Sequence, residues 1–90
     1  MKSVNGIVLV NGNPYNYSGN IDRVWYAFGK TFVTFTNLNV IRDLVTTNNI
    51  FLAEESLTGL KIYPLTAEEE KEVIDKLGII HPKKLKKTDG

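Results

Sequence analysis

The stretch Ile21-Asp22-Arg23-Val24-Trp25-Tyr26-Ala27-Phe28, then Gly29-Lys30, then Thr31-Phe32-Val33-Thr34-Phe35-Thr36 decides the fold. Both runs are rich in β-branched and aromatic residues, and the Gly-X pair between them suits a type II′ hairpin turn. With Phe28 opposite Thr31, the pairs continue as Ala27 with Phe32, Tyr26 with Val33, Trp25 with Thr34 and Val24 with Phe35. One face then carries Val24, Tyr26, Phe28, Val33 and Phe35 and reads as core. The other carries Arg23, Trp25, Ala27, Phe32, Thr34 and Thr36, half apolar and half polar. That face is either a second core layer beneath a helix or an open platform for stacking and anchoring.

On the N-terminal side, Val4 to Val10 reads as a strand, with Gly6 as a bulge or weak point. Asn11 to Asn20 is almost entirely turn-forming residues, interrupted by Tyr15 and Tyr17, and is expected to be a long loop. On the C-terminal side, Leu38, Ile41, Leu44 and Val45 suit a short amphipathic helix. The β-branched residues between Asn37 and Asn49 leave a strand open as the alternative. Ile50 to Ala53 and Leu60 to Tyr63 read as two further short strands.

The last element is well punctuated. Pro64 precedes it, Thr66 is an N-cap, Glu69 completes a capping box, and Gly78 supplies a left-handed stop. Val73, Ile74 and Leu77 form its apolar stripe, while Glu68 to Glu70 complement the helix dipole. The expected fold is α+β: a small antiparallel sheet of about five strands with a C-terminal helix and a short middle helix. If residues 37–49 are extended, the alternative is a small β-barrel, OB-like or SH3-like, with the terminal helix.

Ninety residues are enough for one core, so residues 1–81 read as one domain and 82–90 as a flexible basic tail. At this size the buried fraction of surface is small, which makes self-association as a homodimer a natural source of added stability. The chain has no cysteine, which removes disulfides, thiolate nucleophiles and Cys-based zinc sites. No apolar run is long enough for an export signal or a membrane span, so a cytoplasmic location is expected. The acceptor-like Asn16-Tyr17-Ser18 triplet carries no weight in that compartment.

Catalysis has little to work with. The only histidine, His81, adjoins a proline and the basic tail, and Ser3, Ser18 and Ser56 stand in no nucleophile pattern. Glu68 and Glu72 share a helix face, but dipole complementation and solvation explain them without a metal. No catalytic residue, metal ligand or cofactor is therefore assigned, and a metal-dependent enzyme is the least favoured reading. The net charge of +1 hides a segregation, with Lys83, Lys84, Lys86 and Lys87 crowded into the tail. The leading expectation is a small non-catalytic protein-binding or regulatory module, in keeping with phage or mobile-element proteins by composition. Its partner-binding candidates are Arg23, Trp25, Phe32, Tyr15 and Tyr17, with a strand edge as a further possible contact. The alternative is a single-stranded nucleic-acid binder, in which hairpin aromatics stack on bases and the four tail lysines follow the backbone.

Overall fold

A computed structural model describes residues 2–41, 44 and 49–78, together with the backbone of 86–87. Five strands follow one another: β1 (Lys2–Val10), β2 (Asn13–Ala27), β3 (Lys30–Val40), β4 (Phe51–Ser56) and β5 (Gly59–Pro64). Helix α1 (Ala67–Leu77) comes next, and a two-residue strand, β6 (Lys86–Lys87), lies in the basic tail. Each of the first five strands is antiparallel to its predecessor, so the chain is α+β with a five-stranded antiparallel sheet and a C-terminal helix. β1 and β5 also meet, in parallel at Val8 and Ile62, and the strands form a ring.

The expected loop over Asn11 to Asn20 is instead a tight turn and the first half of β2. Asn11 and Gly12 both have positive φ, 53° and 81°, the signature of a type I′ turn, and Val10 pairs with Asn13 across it. Pro14 is tolerated because its pair with Leu9 is the non-hydrogen-bonded one next to the turn, where no N–H is needed. Tyr15 and Tyr17 are thus strand residues. The asparagine-rich run holds its extended form because β1 and then β3 supply the ladder on either side.

The second hairpin turns one residue earlier than Gly29-Lys30 predicts. Phe28 and Gly29 carry the positive φ values, 56° and 69°, and Ala27 pairs with Lys30. This register sets Trp25 directly against Phe32 and Val24 against Val33. Matching apolar residues across the ladder offsets the strain of a left-handed Phe28. The two side-chain groupings survive within the strands, because each cross-strand partner shifts by two residues, but Phe28, expected in the core group, lies in the turn on the α1 side with the Lys76 ammonium over its ring at 5.9 Å. A bulge around Asp22 shifts the register between Ile21 and Arg23.

Gly6 is not a bulge, since the β1–β2 register runs unbroken past it. It marks the seam where β1 crosses β5: a Cβ there would fall onto the Leu60 carbonyl, and one at Gly59 onto the carbonyl of Asn5. The Tyr17 hydroxyl donates to the same Leu60 carbonyl at 2.6 Å, tying β2 across the seam. Inside the ring, Tyr17, Phe35 and Phe51 pack edge to face at centroid distances of 6.0 and 5.3 Å, with Val8, Leu38 and Ile62 around them.

Residues 37–40 belong to β3 rather than to a middle helix, and Leu38 points into the core. Within the rest of that expected helix, residues 42–43 and 45–48 lie outside the described residues. The β4-side edge of β3 is occupied in succession. Thr31 and Val33 pair with Ala53 and Phe51. Phe35 then receives the buried Asn49 amide, whose Nδ2 donates to its carbonyl at 2.6 Å and whose Oδ1 accepts from its N–H at 3.3 Å. Asn37 and Leu38 run parallel to Lys86 and Lys87, so this part of the tail, expected to be flexible, is strand-paired. The Asn49 side chain replaces one peptide group of a strand where β4 has departed.

Helix α1 begins and ends as its punctuation predicts. Thr66 Oγ1 accepts from the Glu69 N–H at 3.2 Å and Glu69 Oε1 from the Thr66 N–H at 3.0 Å. Gly78 closes the helix in the left-handed region, its N–H donating to the Ile74 carbonyl. Val73, Ile74 and Leu77 pack on Phe32, Ile50, Trp25 and Leu52 outside the ring, forming a second apolar cluster. No described helix is long and apolar enough to cross a membrane.

Candidate functional site

The β2 arm of the β2–β3 hairpin outreaches β1, whereas β4 accompanies β3 as far as Thr31. β1 begins at Lys2, opposite Ile21, whereas β2 continues to Ala27. Past Ile21, the inward-facing side chains of β2 are therefore carried beyond the cover of β1. The sequence reading places Val24, Tyr26 and Phe28 in the core. In the structure Val24 is 42 % exposed, Phe28 51 % and Tyr26 76 %, while Val33 and Phe35 of the same expected group are buried. The neighbouring strands explain the split: Val33 shares a rung with Val24 but has Phe51 of β4 on its other side, whereas the β1 pairing stops at Ile21 and leaves Val24 and Tyr26 at the mouth.

That mouth opens into a cavity of about 520 Å³. Ile21, Val33 and Ala53 form its floor, Val4, Val24 and Leu60 its sides, and Tyr26 one wall, with Lys2 and Glu55 among its polar lining. Its volume is in the range of pockets that take a small ligand or a few side chains, and its lining mixes apolar side chains with the polar Lys2, Thr31, Glu55 and Ser56. A smaller cleft of about 270 Å³ separates the hairpin tip from α1, with Phe32 and Val73 at its base and Lys30, Glu69 and Glu72 in its lining.

The residues singled out from sequence are not brought together. Trp25 is half-buried and Phe32 buried beneath α1, so their face is the second core layer. Arg23 is exposed on the same strand. Tyr17 is only 4 % exposed, and burial pushes its phenol well above the usual tyrosine range. Its hydroxyl serves the ring seam. Tyr15 is half-buried and packs against the inner cluster. Of the tail lysines, Lys86 and Lys87 lie along β3, whereas Lys83 and Lys84 are outside the described residues. Among the described residues no group of three or more histidine, cysteine, aspartate or glutamate side chains is placed to hold a metal.

Val24, Val4 and Leu60 are mouth residues that the sequence reading did not select, and Tyr26 entered there as a site residue only among the base-stacking aromatics. A signal for them exists. Asn11-Gly12 is the strongest short hairpin motif, and pairing outward from it puts Lys2 opposite Ile21, which sets the level of the mouth along β2. No family, no curated protein and no solved structure matches this chain.

Proposed function

We propose that this chain is a small protein-binding module that takes apolar side chains of its partner into the mouth of the strand ring. The observation that carries the reading is the exposure of Val24 and Tyr26 at the rim of the cavity. Apolar surface left in water beside a concave site with an apolar floor favours a partner that covers it. Tyrosine is also well suited to such a rim, since it offers a large rigid ring with a hydroxyl that stays wet. Stacking on single-stranded nucleic acid calls for an open platform of several aromatics, and of those the sequence offered for it Phe32 and Tyr17 are buried, Trp25 and Tyr15 half-buried, and Tyr26 alone stands open.

Site-specific photocrosslinking in the source cell tests the proposal. A photoreactive phenylalanine at position 26 is expected to capture a defined protein, whereas the same group at Lys71, exposed on α1, is not. Val24→Asp should reduce the capture at least tenfold. Equal labelling from both positions, or capture of nucleic acid alone, would falsify it.

A further inference from the structure

The mouth is bordered by an open strand edge, and the hydrogen-bond parity of the hairpin shows which groups lie on it. Ala27 and Lys30 flank a two-residue turn, so they exchange both backbone hydrogen bonds. Counting back, Trp25 and Arg23 also point their N–H and C=O groups at β3, and Val24 and Tyr26 point theirs the other way. The opposite strand agrees: Thr31 and Val33 face β4, and Phe35 meets the Asn49 amide on that same side. On the side to which Val24 and Tyr26 turn, β1 has ended at Lys2, and no described strand pairs with β2 past Ile21. Among the described residues, these two thus present backbone groups at the edge that no strand pairs, and apolar side chains to the cavity.

We infer that the partner binds by strand addition: an extended segment pairs antiparallel with Arg23 to Ala27 of β2 and sends alternate apolar side chains into the mouth. The inference rests on the binding function proposed above and specifies its mode. Three observations favour this occupant. The added strand continues the line of β1, so it extends an existing ladder in an existing direction. It satisfies the backbone groups of Val24 and Tyr26, and its inward side chains have the cavity beneath them. Charges of both signs in the lining, Lys2 and Glu55, suit a segment that is itself neutral. The contrast with β3 is also informative: its outer edge is closed by β4, Asn49 and β6, whereas this part of β2 has neither proline nor lysine to blunt it.

Two variants test the mode. Val24→Pro removes the outward N–H and leaves the β2–β3 ladder whole, because that N–H does not face β3. Capture from position 26 should fall at least tenfold in Val24→Pro and persist in Val24→Ile. Trp25 fluorescence and near-ultraviolet circular dichroism should remain native in both. The second variant carries Thr-Val-Thr-Val-Thr fused directly ahead of Met1, a strand able to fill the slot in cis. It should slow amide exchange at Val24 and Tyr26 at least tenfold, leave Trp25 unchanged and abolish capture, whereas a Gly-Ser-Gly-Ser-Gly extension does none of these. If Val24→Pro captures the partner like the parent while Val24→Asp does not, the mouth binds side chains without strand addition and only the present inference fails. Unchanged exchange at Val24 and Tyr26 in the strand fusion overturns it too, even if Val24→Pro does not fold. If the captured species is a second copy of this chain, the assignment to a different partner protein is overturned.

Discussion

Of the two faces of the β2–β3 hairpin, the more apolar inner one is left partly open on its β2 side, whereas the half-polar outer one has its apolar residues covered. Trp25, Ala27 and Phe32 on the outer face are covered by α1, whereas Val24 and Tyr26 on the inner face stand in solvent. The sequence reading took the inner face as core throughout and left the outer one open to either use. What separates them is the neighbouring element. The stripe of Val73, Ile74 and Leu77 reaches the outer face, and β1 stops short of the inner one. Side-chain character says that a face is able to be buried; only the length of the neighbouring strand and the landing place of the helix say whether it is.

The contrast is sharpest where stability is measured. Phe32→Ala should lower the free energy of unfolding by about 3–5 kcal/mol, read from the urea midpoint, because it opens a cavity between helix and sheet. A loss under about 1 kcal/mol would mean that α1 does not hold the outer face. Next in size is Tyr17→Phe, which leaves the Leu60 carbonyl at the seam without its donor and should cost about 1 kcal/mol near neutral pH. Tyr17 also adds a pH signature. Its folded-state pKa is raised by burial, so its stabilisation is complete below the unfolded value of about 10 and is lost as pH rises beyond it. The parent should therefore lose stability above that pH more steeply than Tyr17→Phe, and parallel curves would remove the buried phenol from the account.

Thr66→Ala breaks the capping box and should cost about 1 kcal/mol. It should also raise amide exchange in the first turn of α1 and loosen the cover over Trp25, visible as increased fluorescence quenching. The smallest effect is expected on the inner face: Tyr26→Ser should change stability by no more than about 0.5 kcal/mol, since the ring is 76 % exposed. A large loss there would show that the mouth is closed in solution and would erase the difference between the faces.

Local chemistry made some elements legible. Thr66, Glu69 and Gly78 act within one or two helical turns, so the helix limits can be read without its surroundings. The hairpin over residues 21–36 was legible as a hairpin, but its turn falls one residue earlier, with Phe28 and Gly29 central, because a turn with positive φ at both central residues can take its glycine second as well as first. Asn13 to Asn20 reads as a loop from composition, yet neighbours on both sides hold it as a strand. Asn49 could not be foreseen at all: its value lies in meeting the Phe35 peptide fourteen residues away in sequence.

By itself, the sequence determined the class of the fold, the C-terminal helix with both of its ends, and the division of the hairpin side chains into two groups. These depend on i to i+3 contacts, on glycine at the helix stop and on the twofold period of a strand. Tertiary structure alone decided which group is covered, where Gly6 and Gly59 let β1 cross β5, and where β2 outruns its neighbour. Each of these outcomes belongs to a pair of segments distant in sequence, and burial is a property of such a pair rather than of either residue run.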